Sequence, residues 1–351
     1  MSNTHRSLFG TRKNTASALL AVVALMAAPL AQAYNPADPL GLSSGLNLLA
    51  FDNLTASGSD VEGRVAVGAN AILSSYSINT KGFGALYSGN GLVVGGNLSF
   101  GNGSLWGNTL VGGNLTLGGG NAFENVSVGG NLNANGNWIN ANSISYAGQL
   151  SQVNPYQNPA PVQVAPGSVQ TGIDFQAERV RTTSLSQTFD TLSNTGSVAN
   201  VYGTLTLNAN HNSLAVFDLN STQLNGNVSL ANLAADTTVL INVHGQSVDF
   251  GNHGYDNFAS GRVLFNLPEA TQVTFAGGIT ASFLAPLASF NSSNGVINGQ
   301  VIVANWSGST QVNDAAFAGA IAAVPEPETY AMLLAGLGTI GMVAKRRKKT
   351  A

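Results

Sequence analysis

One pentapeptide recurs at a fixed interval and restricts the fold more than any other feature. Val94-Gly95-Gly96-Asn97-Leu98 returns as Val111-Gly112-Gly113-Asn114-Leu115 and as Val128-Gly129-Gly130-Asn131-Leu132, each copy 17 residues after the last. A looser copy, Val67-Gly68-Ala69-Asn70-Ala71, stands 27 residues before the first. A unit this short cannot enclose a core alone, so it must lie against its own copies. Stacking places Val94, Val111 and Val128 in one interior column and Leu98, Leu115 and Leu132 in another. The Gly-Gly-Asn steps read as corners, because Gly and Asn adopt positive φ at low cost. Stacked Asn97, Asn114 and Asn131 are expected to bond amide to amide in a ladder. These observations predict an all-β chain wound as a β-solenoid. A sandwich with repetitive hairpins is the other architecture open to it, and the equal spacing favours the solenoid.

The pattern stops between residues 151 and 169, where Pro155, Pro159, Pro161 and Pro166 mark a loop or crossover. Over 174–194, Leu185, Phe189 and Leu192 follow at steps of four and three, which makes one face of a helix. Asp174 suits its N-cap, Glu178 its first turn, and Gly196 the position after its end. A lone amphipathic helix needs a partner surface, so it is expected on the flank of the solenoid. Beyond it, β-rich runs resume at 201–207, 214–219, 228–230, 238–243, 263–267, 273–275 and 301–304. Asn225-Gly226, Asn294-Gly295 and Asn298-Gly299 punctuate them. No linker divides the two halves, so residues 34–323 read as one domain.

Charge is scarce. Asp, Glu, Lys and Arg make up 8% of the chain, against about 25% in ordinary proteins, as befits short strands with little helical surface. Between Tyr34 and Val324 five cations (Arg64, Lys81, Arg179, Arg181, Arg262) face 14 acidic residues, a net charge of −9. Five scattered cations cannot neutralise a run of phosphates, which excludes nucleic acid as a partner. The absence of Cys excludes a disulfide scaffold, a thiolate zinc site and a thiol enzyme. An apolar share of 44% excludes a disordered chain.

The remaining cations sit at the two ends, where sorting signals place them. Residues 1–33 have a cationic start, an apolar run over 16–30 and the small-x-small step Ala31-Gln32-Ala33, the layout of a secretory signal peptide cleaved after Ala33. An N-terminal anchor helix is the alternative, disfavoured by the short run. At the other end, residues 324–351 join Pro325-Glu326-Pro327 to an apolar stretch over 330–344 and the block Lys345-Arg346-Arg347-Lys348-Lys349. This tail resembles the PEP-CTERM sorting signal of Gram-negative bacteria that make exopolysaccharide. The resemblance implies export machinery and an exosortase as partners, with the inner-membrane exosortase removing the tail. It also implies transient membrane contact through the C-terminal helix, and a final place in the secreted fraction or on the cell surface. A permanent single-span anchor is the other reading of the same segment.

A second resemblance covers residues 43–320. Leu48-Leu49-Ala50-Phe51-Asp52, then Gly58-Ser59-Asp60-Val61-Glu62-Gly63-Arg64-Val65-Ala66-Val67-Gly68, the helical segment, residues 262–270, Phe283-Leu284-Ala285-Pro286 and Ile297-Asn298-Gly299-Gln300-Val301 follow in the order of the choice-of-anchor A domain. That family joins one extracellular domain to different anchors and is similar to adhesive and collagen-binding surface domains, without an established catalytic activity. A His frequent near its final strand-turn is missing here, where the chain reads Gln311-Val312-Asn313-Asp314-Ala315-Ala316-Phe317.

Catalytic chemistry is hard to place. His211, His244 and His253 lack metal-motif spacing, no Ser sits in a nucleophile elbow, and no Gly-rich segment ends as a phosphate loop. Asp52, Asp60 and Glu62, with Asn53, are a candidate calcium set; the alternative pairs Asp60 and Glu62 with Arg64. Trp106, Trp138, Phe100 and Phe123 suit either sugar stacking or the core. Thr109, Thr116, Thr204 and Thr206 are too irregular to form the ranks of an ice-binding face. The expectation is an exported, non-catalytic binding, adhesive or structural protein without a cofactor, linked to exopolysaccharide or extracellular matrix in a biofilm. A polysaccharide-active enzyme on a solenoid, and an ice-binding protein, are the alternatives.

Overall fold

The computed structural model describes residues 35–41, 45–81, 89–119, 121–258 and 261–321. The two sorting segments, with Ala31, Ala33, Pro325, Glu326, Pro327, Arg346 and Arg347, lie outside them. The described chain winds as a parallel β-solenoid with three faces per coil, and each face sends one column of side chains inward. The columns follow the expected register. Val67 pairs with Val94, Val94 with Val111, and Val111 with Val128. Leu98 pairs with Leu115, and Leu115 with Leu132. All seven are buried. Enclosing a Leu or Val side chain stabilises by about 2 kcal/mol, so each coil holds to its neighbours mainly through such columns. The third face contributes Val61, Ile78, Leu105 and Phe123 in the same way.

The order of coils does not follow the chain. Residues 48–151 wind outward in sequence from Leu48–Ala50. The chain then returns along the flank and starts a second run at Leu214–Asn220, the far end of the stack. This run passes through Thr238–His244 and Val263–Asn266, and its last coil, Val301–Gly308, docks on the first coil of the other run. Leu48 pairs with Val301, Leu54 with Trp306, and Val61 with Val312. The two ends of the domain sequence therefore meet in the middle of the stack. The second run adds rings to an aliphatic interior that includes Val239, Ile241 and Val301: Phe265 stacks on Phe283 at 5.5 Å and Phe290 on Trp306 at 5.1 Å. An antiparallel hairpin, Ser197–Val201 with Thr204–Asn208, closes the far end.

The helix occupies Phe175–Asp190, with the Asp174 carboxylate accepting the Ala177 N–H at 3.0 Å as the sequence anticipates. Leu185, Phe189 and Leu192 are buried, while Val180 points to solvent. The helix lies along one face of the solenoid, whose outward residues Leu49, Ala66, Val93, Leu240, Leu264 and Ile302 are consequently buried as well. Buried amides fasten it. Asn266 Nδ2 donates to the Ser186 carbonyl at 2.8 Å and to Asn242 Oδ1 at 2.9 Å, and Asn242 Nδ2 donates to the Phe189 carbonyl at 3.1 Å. Gly196 does not terminate the helix, which ends at a Thr191 cap with right-handed φ.

The corner glycines are where expected but for a different reason. None of Gly95, Gly96, Gly112, Gly113, Gly129 and Gly130 has a positive φ. What requires Gly is the approach of the neighbouring coil. A Cβ on Gly112 would stand 2.4 Å from the Gly95 carbonyl oxygen, and one on Gly113 would stand 2.6 Å from Asn97 Oδ1.

Candidate functional site

One face of the solenoid is covered by the helix and a second is irregular. The face that follows the Gly-Gly-Asn corners is flat and open. Its strands, Leu54–Ser57, Ala71–Ser74, Leu98–Phe100 and Leu115–Leu117, alternate buried and exposed residues without interruption. Their outward residues, with those of the adjoining coils, form two straight ranks along the solenoid axis.

The first rank is a ladder of amides: Asn305, Asn53, Asn70, Asn97, Asn114, Asn131 and Gln149. Each Oδ1 accepts the backbone N–H of the next rung, at 3.0 Å from Asn97 to Asn70, and at 2.8 Å from Asn114 to Asn97, from Asn131 to Asn114 and from Gln149 to Asn131. The expected amide-to-amide bonding is present only in part, as Asn97 Nδ2 to Asn70 Oδ1 at 3.1 Å and in longer contacts nearer Asn305. The main partner is backbone because the corner leaves one N–H per coil outside the strand ladder, and an unpaired N–H is costly. The second rank reads Thr274, Asn291, Ser307, Thr55, Ile72, Ser99 and Thr116, each beside the next by strand register.

Successive rungs of a parallel sheet are about 4.8 Å apart, so the ranks present a regular grid of small donors and acceptors. Between them runs a shallow trough of about 460 Å³ lined by Asn53, Thr55, Asn70, Ala71, Ile72, Asn97 and Ser99. Ile72 is 53% exposed at its centre. The stretch from Thr274 to Thr116 is uncharged, and the rank continues beyond Thr274 to Asp249, whose Oδ1 accepts the Thr274 hydroxyl at 2.6 Å. Such a surface can make many weak, uncharged contacts with an extended or planar partner.

The other candidates fall elsewhere. Asp52, Asp60 and Glu62 do not converge. Asp52 pairs with Arg179 at 2.6 Å, Glu62 pairs with Lys81 at 2.6 Å and accepts the Asp314 N–H, and Asp60 accepts the Thr80 hydroxyl at 2.9 Å. Arg64 donates to the Gly45 carbonyl instead of bridging Asp60 and Glu62. The bond to Glu62 raises the pKa of Lys81. Among the described residues no three His, Asp or Glu side chains form a metal-holding group. His244 Nε2 lies 3.7 Å from Asp190 Oδ1, whose carboxyl is held above its ordinary pKa by burial, an effect that His244 opposes. Phe100 and Phe123 are core residues 5.3 Å apart, whereas Trp138 is 44% exposed. Thr116 joins the flat face, Thr109 is buried, and Thr204 and Thr206 belong to the end hairpin.

Sequence reasoning missed most of the flat face. Asn53 and Asn70, like Thr55 and Ile72, stand 17 residues apart, but no Gly-Gly step precedes Asn53, the next step from Asn70 to Asn97 is 27 residues, and Asn305 and Thr274 lie in a distant segment. The usable signal was Asn70 in the loose copy of the repeat.

The family described as "Putative Ice-binding-like adhesive domain" matches residues 39–314, the whole solenoid and its helix. The PEP-CTERM protein-sorting motif matches residues 323–348. It marks an exported, surface-destined protein whose tail an exosortase removes. Comparison with curated proteins and with solved structures yields no match. The chain belongs to the family of ice-binding-like adhesive domains, carried ahead of a PEP-CTERM sorting signal.

Proposed function

We propose that the protein is a non-catalytic adhesive module of the extracellular matrix, and that its flat face binds an uncharged polysaccharide made by the host cell. The observation that carries this reading is the pair of straight ranks on the open face, uncharged over the seven rungs from Thr274 to Thr116. Individually weak contacts repeated along a rigid grid add up by avidity. Preorganisation by the stacked coils lowers the entropy cost of binding. The choice-of-anchor A resemblance and the tail of exopolysaccharide producers favour the same partner. The reading assigns no role to a cofactor, and Asp52, Asp60 and Glu62 are engaged in separate local contacts.

Thr55→Glu with Thr116→Glu tests this by placing two bulkier, charged side chains on the grid without touching the core. The double variant should keep its melting temperature and lose retention on the host's purified exopolysaccharide. Retention equal to wild type would remove the flat face as the site. New reducing or unsaturated ends during incubation would instead support the polysaccharide-active enzyme. The equal rung spacing also favours a second ligand, the ordered surface of ice. Thermal hysteresis that disappears in the same variant would establish it. Deleting residues 325–351 should change where the protein accumulates, and unchanged fractionation would refute the sorting role.

A further inference from the structure

The coils at the end reached by residues 132–163 have a chemistry of their own. From Glu124 to Asp174 the intervening sequence contains no Asp, Glu, Lys, Arg or His, so this segment carries no side chain charged at neutral pH to attract an ionic partner. Two large rings stand out from it. Trp138 is 44% and Tyr156 is 83% exposed. They flank a bonded pair: the Ile139 N–H donates to Gln157 Oε1 at 2.7 Å, and Gln157 Nε2 donates to the Ile139 carbonyl at 2.8 Å. The Gln157 amide thus takes the place of a further strand and closes the sheet edge here. Ile139 fills the interior. Capping is done by Gln157 and packing by Ile139, so neither exposed ring is needed for the fold. Rings that the fold does not use, apolar on their faces and polar at one edge, are available to stack on a partner. The exposed Asn135, Asn140 and Asn158 supply amides around them.

Two exposed rings, neighbouring amides and no charge match the chemistry of a neutral sugar, which offers C–H faces for stacking and hydroxyls for amides. We infer that Trp138 and Tyr156 form a saccharide-stacking platform at this end of the solenoid, separate from the flat face. It lies far from the last described residues. The last described residues bond near the other end, Ala320 N–H to Thr238 Oγ1 at 3.1 Å and Ile321 N–H to the Pro36 carbonyl at 3.0 Å. From the Thr238–His244 strand to Ser143–Tyr146 there are nine rungs by strand pairing, about 40 Å at the usual spacing. The inference shares with the adhesive reading only its placement outside the cell.

The test uses the full-length exported protein and a panel of soluble neutral hexaoses, with a polyuronate hexamer as acidic control. Binding is followed by calorimetry and by tryptophan fluorescence. At least one neutral hexaose should bind and shift the Trp138 emission, while the polyuronate should not. Trp138→Ala and Tyr156→Ala should each weaken binding about two- to tenfold, and Trp138→Phe should restore most of it. Melting temperatures should be unchanged. The Thr55→Glu, Thr116→Glu variant should bind the hexaose normally. Wild-type affinity in the Trp138→Ala, Tyr156→Ala double variant, no binding to any neutral hexaose, or equal binding of the polyuronate would overturn the inference. Loss of hexaose binding in the flat-face variant alone would overturn it while leaving the adhesive reading intact.

Discussion

Replacing Gly112 separates two explanations of the repeat corners. A Cβ at this position would lie 2.4 Å from the Gly95 carbonyl oxygen and 3.2 Å from its carbon, where ordinary contact begins near 3.4 Å. Relief needs about 1 Å of separation between coils. That gap is fixed by two bonds of 2.8 Å, Gly112 N–H to the Val94 carbonyl and Gly113 N–H to the Gly96 carbonyl. Stretching both by that amount breaks them, at about 1 kcal/mol each, and residual overpacking adds about 1 kcal/mol. Gly112→Ala should therefore destabilise by about 3 kcal/mol, a fall in melting temperature of roughly 6–10 °C. Gly112→Asn decides between causes. Were positive φ the requirement, Asn would be tolerated; because close approach is the requirement, Asn should cost at least as much as Ala. Gly278, whose added Cβ would meet nothing within 4 Å, serves as control, with Gly278→Ala neutral or slightly stabilising. Urea denaturation of the exported protein measures all three. A Gly112→Ala value within 0.5 kcal/mol (about the spread of neutral surface changes) or a stable Gly112→Asn would refute the reasoning.

Three further outcomes are expected. Asn266→Ala leaves the Ser186 carbonyl and Asn242 Oδ1 buried without their donor and should cost about 3 kcal/mol, with faster proteolysis around the helix. Asn114→Ala removes the acceptor of the Asn131 N–H on an exposed corner where water can substitute, so it should cost only about 1 kcal/mol. Asp190 has a pKa raised in the folded state above its ordinary 3.8, so its ionisation opposes folding. The favourable contribution is present at low pH and is lost as pH rises from 3.8 through the raised value. Asp190→Asn should therefore raise the melting temperature at pH 8, and the gain should vanish in acid; a gain independent of pH would contradict this.

The sequence disclosed the solenoid wherever coil length was constant. Val94, Val111 and Val128 stack because equal coils repeat equal chemistry, and the same periodicity located every corner glycine. It could not disclose why those glycines are needed, since close approach and positive φ select the same residue. It could not show that Val301 lies beside Leu48, because pairing between distant segments leaves no mark on local pattern. The flat face was legible where the Gly-Gly-Asn signature marks it and, more loosely, at Asn70; Asn53 keeps the 17-residue interval without that signature, and Asn305 belongs to the face through register alone. The helix was read from spacing and a cap, both local, whereas its fastening by Asn242 and Asn266 depends on buried strand residues that look like ordinary turn formers.

The meeting of Val301–Gly308 with Leu48–Ala50 bears on when the domain becomes a folded object. Its central seam joins segments separated by almost the length of the domain, exemplified by Asn53 and Asn305, 252 positions apart. Contacts of such separation form late and slowly, so the earlier coils wait as an unfinished stack with an unpaired edge until the last coil is delivered. A chain passing through a membrane from its N-terminus would thus complete its tertiary structure only after almost all of it had crossed. The sorting motif begins at residue 323, shortly after the final strand, Gln311–Asn313. Closure of the seam and exposure of the tail to its processing enzyme would then fall at nearly the same moment in export.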